Sequence, residues 1–187
     1  MIVELKDSTK EALVYKDSIV TYSELYHTLA YNKNYIQNLY KEQDNLFVLQ
    51  AENQFDFVIA LLSLTACQKW IIPVNKGLTA TIHGKGSYVK AVNQELVLEQ
   101  SIKEIENITG TTKAINLPAE IIKHLSEVRQ DSEYNLEVAD GDKCGVYHMS
   151  SGSTGIPKFC KRSMNCFSQE AFSFLHTFDF LPDDQVL

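Results

Sequence analysis

The stretch Val146–Arg162, VYHMSSGSTGIPKFCKR, sets four hydroxyl side chains and two glycines into the six positions Ser150–Gly155. An apolar run, VYHM, precedes them, and a Pro-Lys pair, Pro157–Lys158, closes them off. Gly152 and Gly155 permit positive φ, which lets successive backbone N–H groups converge on one concavity. Ser150, Ser151, Ser153 and Thr154 add hydroxyl donors without charge, and Lys158 adds a cation a few residues downstream. Those parts suit a polyphosphate. A surface connection would also be rich in Ser and Gly, but it would not need the apolar strand KCGVYHMS running straight into it. The Walker pattern is excluded, because Pro157 stands where its second glycine belongs and no Ser or Thr follows Lys158.

Working outward, NLFVLQ and WIIPVN read as buried strands, with Asn53 capping an apolar helix between them that runs to Cys67. Strand, helix, strand at this spacing is a βαβ unit, which predicts an α/β fold with a largely parallel sheet flanked by helices. Upstream, ALVYKDSIVTY reads as a hairpin turning at Lys16-Asp17-Ser18. Thr21 with Glu24 three residues on is a capping box, opening a helix whose apolar face is Leu25, Leu29, Ile36, Leu39 and Tyr40. Between Lys76 and Asp142 the pattern weakens to a helix over 93–108 and another over 118–129, the latter with proline at its start. HGKGS, with Gly84 and Gly86, is a turn, since Val89 breaks any G-x-G-x-x-G. SMNCFSQEAFSFLHTF has helical periodicity, so the order around the loop reads strand, loop, Pro-Lys, helix.

The chain of 187 residues, 44% hydrophobic, is long enough for a substantial core. A net charge of −7 argues against a nucleic-acid partner, and the dense basic cluster Lys158, Lys161, Arg162 sits directly after the loop. Cys67, Cys144, Cys160 and Cys166 form no C-x-x-C pair and read as reduced thiols of a cytoplasmic protein. A zinc site from Cys160, Cys166 and a histidine would match no common ligand spacing, so no metal ligand is assigned. MIVELKDSTK lacks the pattern of a targeting segment, and the apolar run Phe57–Cys67 is too short to span a bilayer.

YHMSSGSTGIPK, Tyr147–Lys158, resembles the phosphate-loop signature of the adenylate-forming superfamily, which includes acyl- and aryl-CoA synthetases, adenylation domains of peptide synthetases and luciferases. IVTYSEL, NQFDFVIALLSL, WIIPVN and LPDDQVL resemble, in order, that family's opening strand and first helix, second helix, Pro-Val-Asn strand and the start of the strand after the loop. One departure is Cys67-Gln68-Lys69, where the family has small residues, often Gly-Ala.

The resemblance implies that Ser150, Ser151, Gly152, Ser153, Thr154 and Gly155 cradle the β/γ-phosphates of ATP. Lys158 would act catalytically on the charge of the departing pyrophosphate, and His148 would be packing. It implies an acid–thiol ligase that activates a carboxylic acid to an acyl-adenylate and passes it to CoA. An acyl-CoA synthetase of the long-chain fatty-acid ligase kind is placed first. The alternatives are an aryl-acid or amino-acid adenylation enzyme, or a non-catalytic binding module. By the same resemblance residues 1–187 are an N-terminal part of the large AMP-binding domain. The family's Mg2+ ligand, acyl pocket and C-terminal domain would fall outside them, so this piece alone is expected to be inactive. Apolar surface left open by the missing part could support a dimer.

Overall fold

The computed structural model describes residues 8–74, 81–82, 90–91, 94–110, 113–129, 133–137, 139–150 and 158–178. The chain opens with an antiparallel hairpin, β1 (Glu11–Tyr15) and β2 (Ser18–Thr21), whose turn puts Lys16 at φ 54°. Thr21 then caps α1 (Tyr22–Leu39): its Oγ1 accepts from the Glu24 N–H at 3.2 Å, and the Glu24 carboxylate accepts from the Thr21 N–H at 2.8 Å. This reciprocal box satisfies two donors that the first helical turn leaves over. Strand β3 (Leu46–Leu49), helix α2 (Gln54–Ala66, capped by Asn53) and strand β4 (Trp70–Pro73) form the predicted βαβ unit, with β3 and β4 parallel.

Short strands β5 (Thr81–Ile82) and β6 (Lys90–Ala91) pair antiparallel. The HGKGS turn between them lies outside the described residues. Helix α3 (Gln94–Thr109), strand β7 (Ile115–Asn116) and helix α4 (Ala119–Ser126) follow. Strands β8 (Gly145–Ser150) and β9 (Lys158–Ser163) and helix α5 (Met164–Thr177) are the last described elements. The main sheet has the order β7-β3-β4-β8-β9, parallel throughout except for β9, which runs antiparallel on β8.

The period-2 alternation of β3 and β4 sends residues to two cores. Phe47, Leu49 and Ile71 pack with Ile36 of α1, Ala60 and Leu64 of α2, and Ile122 and Leu125 of α4. Leu46, Val48, Trp70 and Ile72 pack on the opposite face with Ile105 of α3 and Tyr147 of β8. Burial on both faces explains why these strands read as unbroken apolar runs.

Three expectations are corrected. The apolar face expected for α1 is rotated: of those five residues only Ile36 is fully buried, Leu39 is exposed, and Thr28 and Asn32 are buried instead. The cause is a polar seam. Asn32 Nδ2 donates to Ser63 Oγ of α2 at 2.9 Å and to the Leu125 carbonyl of α4 at 2.7 Å, so three helices meet at one amide. Helix α4 starts one residue after Pro118 and stops at Ser126, short of the expected Arg129. There the chain extends at Glu127 (ψ 120°), and the Arg129 N–H donates to Thr28 Oγ1 at 3.2 Å. Third, the Pro-Lys pair leads into strand β9 and only then into the helix.

Helix α5 buries none of its residues, and Phe172, Phe174 and Leu175 are exposed. Among the described residues no helix is long and apolar enough to cross a membrane.

Candidate phosphate-binding hairpin

Strand β8 enters the sheet beside β4, with Gly145 opposite Trp70 and Val146 opposite Ile71. Continued at that register, Pro73 falls level with His148, so Met149 and Ser150 reach past the end of β4. This is the carboxyl end of the parallel strands, where open α/β sheets bind their ligands. Strand β9 returns along β8 in an uninterrupted ladder from Gly145↔Ser163 to Ser150↔Lys158. The two ends of the Ser/Gly/Thr segment are therefore held one inter-strand spacing apart, about 5 Å. Ser150 and Lys158 are the closing pair of that ladder; Ser151, Gly152, Ser153, Thr154 and Gly155 lie outside the described residues.

Glycine at 145 is what lets the hairpin lie flat on the sheet. A Cβ there would stand 2.1 Å from the Arg162 carbonyl oxygen, 2.8 Å from the Ser163 Cα and 2.8 Å from Cζ3 of Trp70. The far end of β9 is tied into α5, where the Ser163 hydroxyl caps the helix by accepting from the Cys166 N–H at 3.4 Å.

The basic cluster of the sequence is divided by the pleat. Lys161 stands over the Trp70 ring, its Nζ 4.0 Å from the centroid, and Trp70 in turn contacts Tyr147 at 5.5 Å. Arg162 lies over Phe167 at 4.6 Å and pairs with Glu170 at 2.5 Å, a hydrogen bond that raises its pKa further. Both cations have partners on the flank of the hairpin.

His148 packs its ring on Phe167 at 5.4 Å, and among the described residues its Nε2 has no hydrogen-bond partner. The sequence had marked it as packing. The thiols divide likewise: Cys67 and Cys144 are buried, Cys160 and Cys166 exposed. Burial pushes the Cys67 thiol up to about 12 and also raises that of Cys144, where Asp140 adds to the effect. Among the described residues no cluster of His, Cys, Asp or Glu could hold a metal ion.

What the sequence reading missed is β9 and hence the hairpin. KFCKRS alternates weakly and carries three cations, a composition that reads as a solvated helix start as readily as an edge strand.

The departure at Cys67-Gln68-Lys69 has a conformational meaning. Gln68 has φ 56°, and the Lys69 N–H donates to the Leu64 carbonyl at 2.9–3.0 Å spacing typical of a helix end, here 3.0 Å. This is a Schellman-type end to α2, the position at which glycine is ordinarily used.

The mostly parallel sheet, its flanking helices and the projecting hairpin define the fold of the N-terminal domain of adenylate-forming enzymes. Three solved structures carry that comparison. The Klebsiella oxytoca NpsA N-terminal subdomain in complex with 3-hydroxyanthranilyl-AMSN matches at TM-score 0.56 and 18% identity, covering 87% of this chain and 39% of that one. The o-succinylbenzoate CoA synthetase MenE of Bacillus subtilis, in complex with its acyl-adenylate intermediate, matches at TM-score 0.63 and 16% identity, covering 98% and 47%. ATP-bound MatB from Rhodopseudomonas palustris matches at TM-score 0.65 and 14% identity, covering 98% and 38%. The chain thus spans less than half of each of these proteins. No family model matches it, and no curated protein does.

Proposed function

We propose that the β8–β9 hairpin binds the β- and γ-phosphates of ATP, and that the chain supplies the phosphate-binding part of a ligase that activates a carboxylic acid as an acyl-adenylate. The observation that carries this reading is the closing of the Ser/Gly/Thr segment by an antiparallel ladder at the carboxyl end of a parallel sheet. A Ser/Gly/Thr loop closed in this way is able to converge backbone N–H groups and hydroxyls without requiring a helix terminus.

In the reaction the carboxylate oxygen attacks the α-phosphorus, the bridging P–O bond breaks, and pyrophosphate leaves with the electron pair. Charge therefore gathers on oxygens that Ser150–Gly155 would cradle and Lys158 would neutralise. Fixed donors act most strongly where charge develops, because they need no reorganisation as it does so. Thr154 and Ser153 are the hydroxyls we assign first to this contact. Transfer of the acyl group to CoA is the second half of the proposed activity, with a fatty acid placed ahead of an aryl or amino acid as the substrate. Magnesium would accompany ATP, and no residue of this chain is assigned to it.

Isothermal titration with ATP tests the hairpin directly. The expected result is weak, salt-sensitive binding that the double substitution Thr154→Ala, Lys158→Ala abolishes. Binding unchanged by that substitution would refute the assignment.

A further inference from the structure

At the other end of the sheet, beneath the amino ends of β3, β4 and β8, lies a cavity of about 730 Å3. Its wall includes Lys33 and Tyr40 of α1 and its cap, Asn45 just before β3, Cys67 and Lys69 just before β4, and Lys143 just before β8. The charges of this wall are sorted by depth. Lys69 has only 6% of its surface exposed, and the Lys33 side chain 18%. The acids stand at the rim: the Glu137 side chain is 86% exposed, and Glu42 is exposed too.

Neither buried cation is matched by a buried anion. Lys33 meets Glu137 at 3.5 Å, but that carboxylate lies in water, so the pair is screened and readily exchanged. Lys69 donates to the main-chain carbonyls of Lys41 and Glu42 at 3.4 and 3.3 Å, and among the described residues it forms no ion pair. Burial works against its charge; Cys67, then Asp44 and Glu42, work for it, the carboxylates from beyond ion-pair distance. Both cations also act on one neighbour. Burial raises the pKa of the Cys67 thiol, and Lys69 and Lys33 each oppose that rise. Coulombic influence falls with distance, so the two ammonium groups flank the same point, against low-dielectric walls that concentrate a positive potential.

We infer that this cavity binds a phosphate group, free or carried by a small metabolite, with Lys33 and Lys69 as its counter-charges. A phosphate dianion matches two cations, and its tetrahedral oxygens suit the point charge of an ammonium, whereas a planar carboxylate is better met by a guanidinium fork. An ammonium carries three N–H donors, so Lys69 keeps both carbonyl contacts while it donates to a phosphate oxygen. Lys33 exchanges Glu137 for the ligand, and Tyr40 and Asn45 supply neutral donors on the wall. The volume falls within the range of about 300–1,000 Å3 usual for small-molecule sites, which leaves room for an organic remainder. The inference is independent of the phosphate hairpin, which sits at the opposite end of the strands.

Titration of the full chain with inorganic phosphate, and separately with glycerol phosphate, tests it by amide proton–nitrogen correlation spectra at constant ionic strength. The chain carries Thr154→Ala and Lys158→Ala throughout, so the hairpin offers no competing site and failure here leaves its reading untouched. Saturable shifts are expected at Lys33, Cys67 and Lys69. Lys33→Gln removes one charge-assisted hydrogen bond and should weaken binding about tenfold or more. Lys69→Met should abolish it; should that variant not fold, Lys33→Gln decides alone. Tighter binding of glycerol phosphate than of inorganic phosphate assigns the site to a phosphorylated metabolite, and equal binding assigns it to the free ion. Shifts that never saturate, that sodium chloride reproduces, or that survive Lys33→Gln undiminished would overturn the inference.

Discussion

Gly145→Ala puts the geometry of the hairpin to a direct test. The new methyl would meet the Arg162 carbonyl oxygen at 2.1 Å, whereas a carbon and a carbonyl oxygen ordinarily approach to no less than about 3.3 Å. Relief therefore needs a shift of more than about 1 Å, and the other close atoms, Ser163 Cα and Cζ3 of Trp70, belong to the same two neighbours. None of the three is the tip of a flexible side chain, so β9 must move away from β8. Overpacking of this kind costs about 1–3 kcal/mol, and each ladder bond weakened by the shift adds about 1 kcal/mol. We expect about 3 kcal/mol in total, a fall in Tm of about 6–12 °C for a chain of this size. Urea unfolding followed by circular dichroism measures it, and ATP titration of the same variant should show weakened binding, because the closing pair Ser150↔Lys158 belongs to the displaced ladder. Gly110→Ala is the control: φ is 65° and nothing lies within 4 Å of the added carbon, so only backbone strain of about 1 kcal/mol is at stake. A loss below about 0.5 kcal/mol for Gly145→Ala would refute the argument.

Other substitutions probe the remaining features. Gln68→Gly should raise stability by about 1 kcal/mol, since it relieves the left-handed conformation at the end of α2; a destabilised variant in urea melts would contradict this. Asn32→Ala leaves the Ser63 hydroxyl and the Leu125 carbonyl without their shared donor and should cost about 2–3 kcal/mol by the same assay. Lys69→Met should be more stable than the parent chain at pH 7. Because the folded-state pKa of Lys69 is lowered from 10.5, its relative contribution is present above that pH and is lost as the pH falls through the folded value. The difference between the two proteins should accordingly shrink as pH rises toward 10.5, which paired urea midpoints across the range would reveal.

Much of the fold was legible because local chemistry and global placement agree. Thr21 and Glu24 can satisfy each other only at a helix start, and the apolar runs 46–49 and 70–73 are long enough for strands and too short for helices. The polar seam was not legible, because Asn32 and Ser63 have the composition of an outer face, and only the arrival of α4 turns that face inward. Strand β7 is two residues long and owes its existence to β3, beside which it pairs. Strand β9 was hidden for a related reason: its cations are placed by tertiary partners, Trp70 far back in the chain for Lys161 and Glu170 on the following helix for Arg162. At the candidate site, the strand entering the loop could be read from KCGVYHMS, while the return strand that closes it could not. The lowered pKa of Lys69 had no sequence signal, since its burial lies behind it.

The ladder between β8 and β9 also sets a path for force. An anion pulling on Lys158 loads the rung it shares with Ser150, and from there a sheet whose next strand, β4, is clamped between two cores. Tension at the loop is thus borne in shear by successive rungs rather than by one soft link, and the far end of β9 is anchored through Ser163 into α5. A hairpin braced in this way keeps its position on the sheet along the whole length of the ladder.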